Sequence, residues 1–116
     1  MNQKLEEKYQ KFRALLQSAI DEGLNVLGES VKQTIYYYVE KNSGLRREDI
    51  SLHPKAFADA LESIFGSVGA TIIEDKILQI LHEKIGLKYR RDETLSFSEN
   101  VESAMKAYIK TLGVTI

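Results

Sequence analysis

Apolar side chains recur at steps of three and four along nearly the whole chain, and glycines break the pattern where it pauses. Leu5, Tyr9, Phe12, Leu16 and Ala19 begin the first such stripe. Steps of three and four return a side chain to one face of a helix, whereas a half-buried strand needs alternation at every second residue. No alternating run of useful length occurs, so the sequence predicts an all-α fold. Five helices are expected, at about residues 3–24, 27–42, 54–65, 69–85 and 97–112, packed as one compact bundle over residues 1–116. A chain of 116 residues is long enough for one ordinary domain and one core.

Local signals fix the helix ends. Asn42-Ser43-Gly44 offers a glycine for the left-handed position that closes the second helix, and Gly86 does the same for the fourth. LRREDISLH reads as a loop. Pro54 suits the first turn of the third helix, where its missing N–H has no partner to lose. Gly66-x-x-Gly69 reads as a short break before the fourth helix. Ser96-x-x-Glu99 is a capping-box pattern that starts the fifth, whose stripe runs Val101, Met105, Tyr108, Ile109 and Leu112. In the first helix the heptad register would next meet Gly23, and Leu15 and Ile20 widen the face. That breadth favours packing in a bundle over a two-stranded zipper.

Three adjacent tyrosines, Tyr36, Tyr37 and Tyr38, cannot all face one core from a helix. With Leu27 at 0°, Tyr38, Val31, Ile35 and Val39 fall between about 20° and about 120°, so the buried arc is expected near 50° with Tyr38 in it. Tyr36 and Tyr37 then lie about 130° to either side. One of the pair is expected to bury its ring between helices and the other to anchor a second copy or another protein, because tyrosine is enriched at interface hot spots.

Residues 27–87, from LGESVKQTIYYYVEKNSG through the DI turn and FADALESIFG to HEKIGL, resemble the small helical archaeal family called the Nitrosopumilus output domain. The resemblance covers roughly half of the chain and rests on patterning. It implies an all-helical module at the output or interaction end of signalling chains, and it brings no catalytic residues. Residues 1–26 and 88–116 lie outside it.

Charge and composition narrow the function. Sixteen basic and seventeen acidic residues leave a net charge of −1, with eight of each sign in the first fifty residues, so no polybasic arm or acidic tail stands out. The absence of cysteine removes disulfides and thiolate chemistry and suits a reducing cytoplasm, the expected location. MNQKLEEKYQ does not read as a signal peptide, and no 18 apolar residues run together, so no membrane partner is expected. His82-Glu83-Lys84-Ile85-Gly86 has the start of a zinc-binding H-E-x-x-H motif but glycine where its second histidine belongs. His53 is the only other histidine, so no metal site and no cofactor are predicted. Ser30 and Ser67 have no histidine near them in sequence, Gly66-x-x-Gly69 lacks the strand and lysine of a phosphate loop, and no catalytic residue is assigned.

Two features keep other readings open. Arg46-Arg47 and Lys88, Arg90 and Arg91 form basic clusters that could meet nucleic acid if they share one end of the bundle. Each is followed at once by two acids, and the pI of about 6.1 is far below that of nucleic-acid-binding domains. Glu74 falls within the apolar arc of its helix: a buried acid there would need a partner, while a first-turn glutamate would reach solvent. A small-ligand protein or enzyme built on Glu74 and a tyrosine is the remaining alternative to a non-enzymatic interaction module that associates with itself or with another protein.

Overall fold

The computed structural model describes residues 3–111. Four α-helices, α1 (Gln3–Asn25), α2 (Glu29–Ser43), α3 (Pro54–Ile85) and α4 (Phe97–Thr111), and a 3₁₀ segment (Arg47–Leu52) form an all-α bundle. No strand occurs among the described residues. Leu112, expected to end the last stripe, lies outside them.

α1 packs most extensively on α3, and the two approach closely where Gly23 meets Ile77. The stripe read from α1 is its buried face: Phe12, Leu16, Ala19, Ile20 and Leu24 are almost wholly out of water. Burial of this kind contributes on the order of 1.5–3 kcal/mol for each large side chain before the entropy of ordering is subtracted. Phe57, Leu61, Ile77, Leu78 and Leu81 of α3 face it, and Val101, Ala104, Tyr108 and Ile109 of α4 complete the same core.

The segment expected to be a loop holds a 3₁₀ turn, and Ile50 explains why: its side chain is fully buried, so the chain tightens to bring it into the core. The two helices expected at 54–65 and 69–85 run on as the single element α3, in which only Gly66 leaves helical geometry, at φ 76 and ψ 171. That pair of angles lies in a region open to glycine and closed to residues with a side chain. Gly44 and Gly86 take the left-handed positions expected after α2 and α3. The start of α4 is a reciprocal capping box, with the Glu99 N–H donated to Ser96 Oγ at 3.2 Å and the Ser96 N–H to Glu99 Oε1 at 2.9 Å.

α2 corrects the wheel. Its buried side chains are Lys32, Ile35, Tyr36 and Val39, an arc centred near 130° on the same wheel and not near 50°. Tyr38, expected in the core, is 43% exposed, and Leu27 and Val31 are 40% and 41% exposed. The rotation has an electrostatic cause. Turning Tyr36 and Lys32 inward lets both reach Asp21 on α1, which an apolar arc alone does not reveal.

Candidate functional site

Asp21 is the hub of the polar contacts between α1, α2 and the 3₁₀ segment. The Tyr36 hydroxyl donates to its Oδ1 at 3.0 Å, Lys32 Nζ lies 3.5 Å from Oδ2, and the Arg47 guanidinium pairs with Oδ1 while lying over the Tyr36 ring. Burial raises the Asp21 pKa, but the Tyr36 hydrogen bond and the charges of Arg47 and Lys32 together outweigh it and leave the carboxyl below its usual range. Burial, reinforced by the Asp21 charge, pushes the Tyr36 phenol up. Tyr36 is therefore an internal clasp and not the surface anchor considered for it. Tyr37 is the outward member of the pair, 60% exposed, with Lys41 over its ring.

A second polar cluster straps the segment between α3 and α4 onto α3. Glu74 is buried, 7% exposed, and its Oε1 accepts from Arg91 Nη2 at 3.3 Å. Asp75 accepts from the Tyr89 hydroxyl and pairs with Arg91, and the Tyr89 ring packs edge-on to His82. His82 is half-buried and places Nδ1 2.7 Å from the Leu78 carbonyl oxygen. Asn100 anchors the other end of the strap: its amide nitrogen is shared among the Asp92, Leu95 and Ser96 carbonyls, and its oxygen accepts the Asp92 N–H.

These contacts occupy most of the basic residues singled out in the sequence. Arg46 pairs with Glu48 and Asp49, Arg47 with Asp21, and Arg91 with Glu74 and Asp75. Lys88 and Arg90 are exposed. Of the paired guanidiniums only Arg91 is largely buried, and the side chains of Arg46 and Arg47 remain about half exposed or more. Among the described residues no three histidine or carboxylate side chains converge as a metal site.

The largest unmet demand for a partner is apolar. Because α2 is rotated, Val31 and Tyr38 face outward beside the buried stripe, and Ile64 and Phe65 at the end of the first half of α3 stand against them; Leu27 lies in the turn before the helix. Between them runs an open groove of about 270 Å³ lined by Ser30, Val31, Thr34, Ile35, Tyr38, Ile64 and Phe65, with no charged residue. Phe65 is 38% exposed. On the next turns of α3, Val68 and Ile72 are 75% and 66% exposed. By length and composition α3 is apolar enough to cross a bilayer, and this outward apolar surface contributes to that hydropathy.

Sequence reasoning placed Leu27, Val31 and Tyr38 in the core and so missed them as surface. The signal was present as width. The apolar positions of α2 span about 180° on the wheel, more than the roughly 100° that one-sided packing needs, so two neighbouring faces were read as one.

No family model matches the chain, and no curated protein or solved structure matches it significantly.

Proposed function

We propose that this chain is a non-enzymatic helical interaction module that docks through the outer face of α2 and the Gly66 bend of α3. The carrying observation is the uncharged apolar groove between Val31, Tyr38 and Phe65. Apolar surface held in water lowers the free energy of any complex that covers it, and contiguous patches of this kind mark interaction sites. The polar side chains support the same reading. Asp21, Lys32, Tyr36, Glu74, Arg91 and Asn100 tie helices and strap together, so their polar groups are engaged inside the fold while the groove stays open. A role at the output end of a signalling chain in the cytoplasm agrees with the resemblance of residues 27–87 and with the absence of cysteine.

The test is site-specific photo-cross-linking in cells that produce the chain. A photoreactive residue at Val31 should capture a discrete protein partner, and the same residue at exposed Lys106 on α4 should not. Equal, diffuse labelling from both positions would remove the docking reading. The nucleic-acid alternative now rests on Lys88, Arg90 and the exposed parts of Arg46 and Arg47. Duplex DNA added at low salt should leave the protein unbound, since phosphate contacts are strongest there.

A further inference from the structure

We infer that the cleft between α1, the start of α3 and the start of α4 binds a small carboxylic acid with an apolar body, its acid group held by Arg13. The site is separate from the docking groove and does not depend on it. The cleft has a volume of about 340 Å³, within the range of small-molecule sites. Its floor is the outer layer of the core, where Phe12 and Leu16 of α1 and Val101 of α4 reach the surface of the bundle. Leu52, Pro54 and Met105 add apolar walls, and Leu52 is 51% exposed. Ser51 and Ser98 also line the cleft, and such short side chains leave room that longer ones would fill.

Arg13 decides the class of ligand. It lines the cleft half-buried, and among the described residues it has neither an ion pair nor a hydrogen-bond partner. The other charged residue in the lining, Glu102, is paired with Lys106 at 3.3 Å. A guanidinium is a weakly hydrated fork of N–H donors that matches a carboxylate, so it can hold one at the edge of an apolar surface. The helix ends do not oppose this sign: Pro54 opens α3 and Ser98 lies in the first turn of α4, which puts the positive ends of both helices beside the cleft.

The surroundings orient the ligand. Arg13 and Met105 also line a neighbouring cleft of about 500 Å³, together with Glu6, Tyr9 and Gln10. That lining is mostly polar, so the apolar body belongs over Phe12, Leu16 and Val101 and the acid group at Arg13, where the two clefts meet. The groove between α2 and α3 does not compete for such a molecule, because it has no charged residue to hold the acid.

Octanoate is the probe, titrated to ~3 mM into the isotope-labelled full chain while backbone amide shifts are followed by NMR, a range that resolves weak dissociation constants. The expected result is saturable shifts at Leu16, Ser51, Ser98 and Val101 and none at Val31 or Ile64. The neutral 1-octanol and the cationic octylammonium, with the same tail, should bind at least roughly fivefold more weakly. Arg13→Gln should bring octanoate down to the level of octanol, and Ser98→Phe, which fills the cleft from one wall, should abolish the shifts, both with unchanged helical content. The comparison of the three head groups needs no variant, so it decides even where a substitution disturbs the fold. Absence of any saturable shift would overturn the inference, and so would shifts centred on Val31 and Ile64, which place the ligand in the groove. Octanol binding as tightly as octanoate, or octanoate indifferent to Arg13→Gln in a folded chain, would remove Arg13 and with it the carboxylate. None of these outcomes touches the docking reading, which photo-cross-linking from Val31 tests by itself.

Discussion

Replacing Gly23 by alanine adds one methyl group at the tightest point of the α1–α3 contact, and its effect can be worked from the distances there. A Cβ built on Gly23 would stand 2.6 Å from Ile77 Cγ1, 3.5 Å from Ile77 Cα and 3.6 Å from Ile77 Cβ. The nearest atom belongs to a β-branched, fully buried side chain whose rotamer is held by its neighbours, and the backbone lies just behind it. The methyl can be accommodated only by moving the helices apart or forcing Ile77 off its rotamer, at about 1–3 kcal/mol. Opposing this, alanine is about 1 kcal/mol better than glycine inside a helix. The net expectation is a loss of about 1 kcal/mol, seen as a Tm lower by ~4 °C for a chain of this size. The sign should reverse in an Ile77→Ala background, where the clashing atom is gone: there Gly23→Ala should raise Tm, because propensity acts unopposed and the methyl refills part of the cavity. Thermal melts followed by circular dichroism on the four chains of the cycle decide it. An increase in Tm on adding Gly23→Ala to the parent, or equal shifts in both backgrounds, would refute the steric argument.

Two further outcomes follow from buried polar groups. Gln17 buries its amide oxygen and nitrogen with no protein partner for either, so Gln17→Met, which keeps the shape and removes the polar atoms, should stabilise the fold by about 1 kcal/mol in urea titration; a loss of stability would show that the amide is satisfied. For Glu74, burial raises the carboxyl pKa from its ordinary value of 4.5, and the hydrogen bond and charge of Arg91 offset this only in part. A folded chain that holds the proton more tightly than the unfolded one has that contribution in full below the ordinary pKa and loses it as pH rises through the raised value. Relative to Glu74→Gln, the parent should therefore gain stability between pH 7 and pH 4, and a constant difference across that range would show that Glu74 titrates alike in both states.

What the sequence revealed and what it hid divide along a physical line. Contacts within four residues were legible: the capping box of Ser96 and Glu99, the left-handed glycines after α2 and α3, Pro54 in the first turn of α3 and the stripe of α1. What remained hidden depended on partners distant in the chain. Tyr36 faces inward because Asp21 lies fifteen residues before it, and Glu74 is held by Arg91 seventeen residues after it. The wheel ranked Tyr38 above Tyr36 on the apolar positions of its own segment, whereas the decision rests on a carboxylate on another helix. The outer apolar face of α2 was hidden for the same reason, being what is left outside once that polar contact has set the rotation of α2.

The bend at Gly66 carries a consequence for the proportions of the molecule. A straight helix of 32 residues would run about 48 Å at 1.5 Å per residue, yet the longest dimension of the molecule is 39 Å. A continuous rod would project past the bundle and strand one of its apolar halves in solvent. By folding α3 at one residue, the chain makes a single long element cover α1 with its second half, through Ile77, while Phe57 and Leu61 of the first half enter the same core. The scale of the whole architecture is thus set by one backbone torsion that only glycine adopts without strain. The same corner turns Phe65 toward α2 and leaves Val68 and Ile72 outside, so the angle that makes the molecule short also shapes its apolar surface.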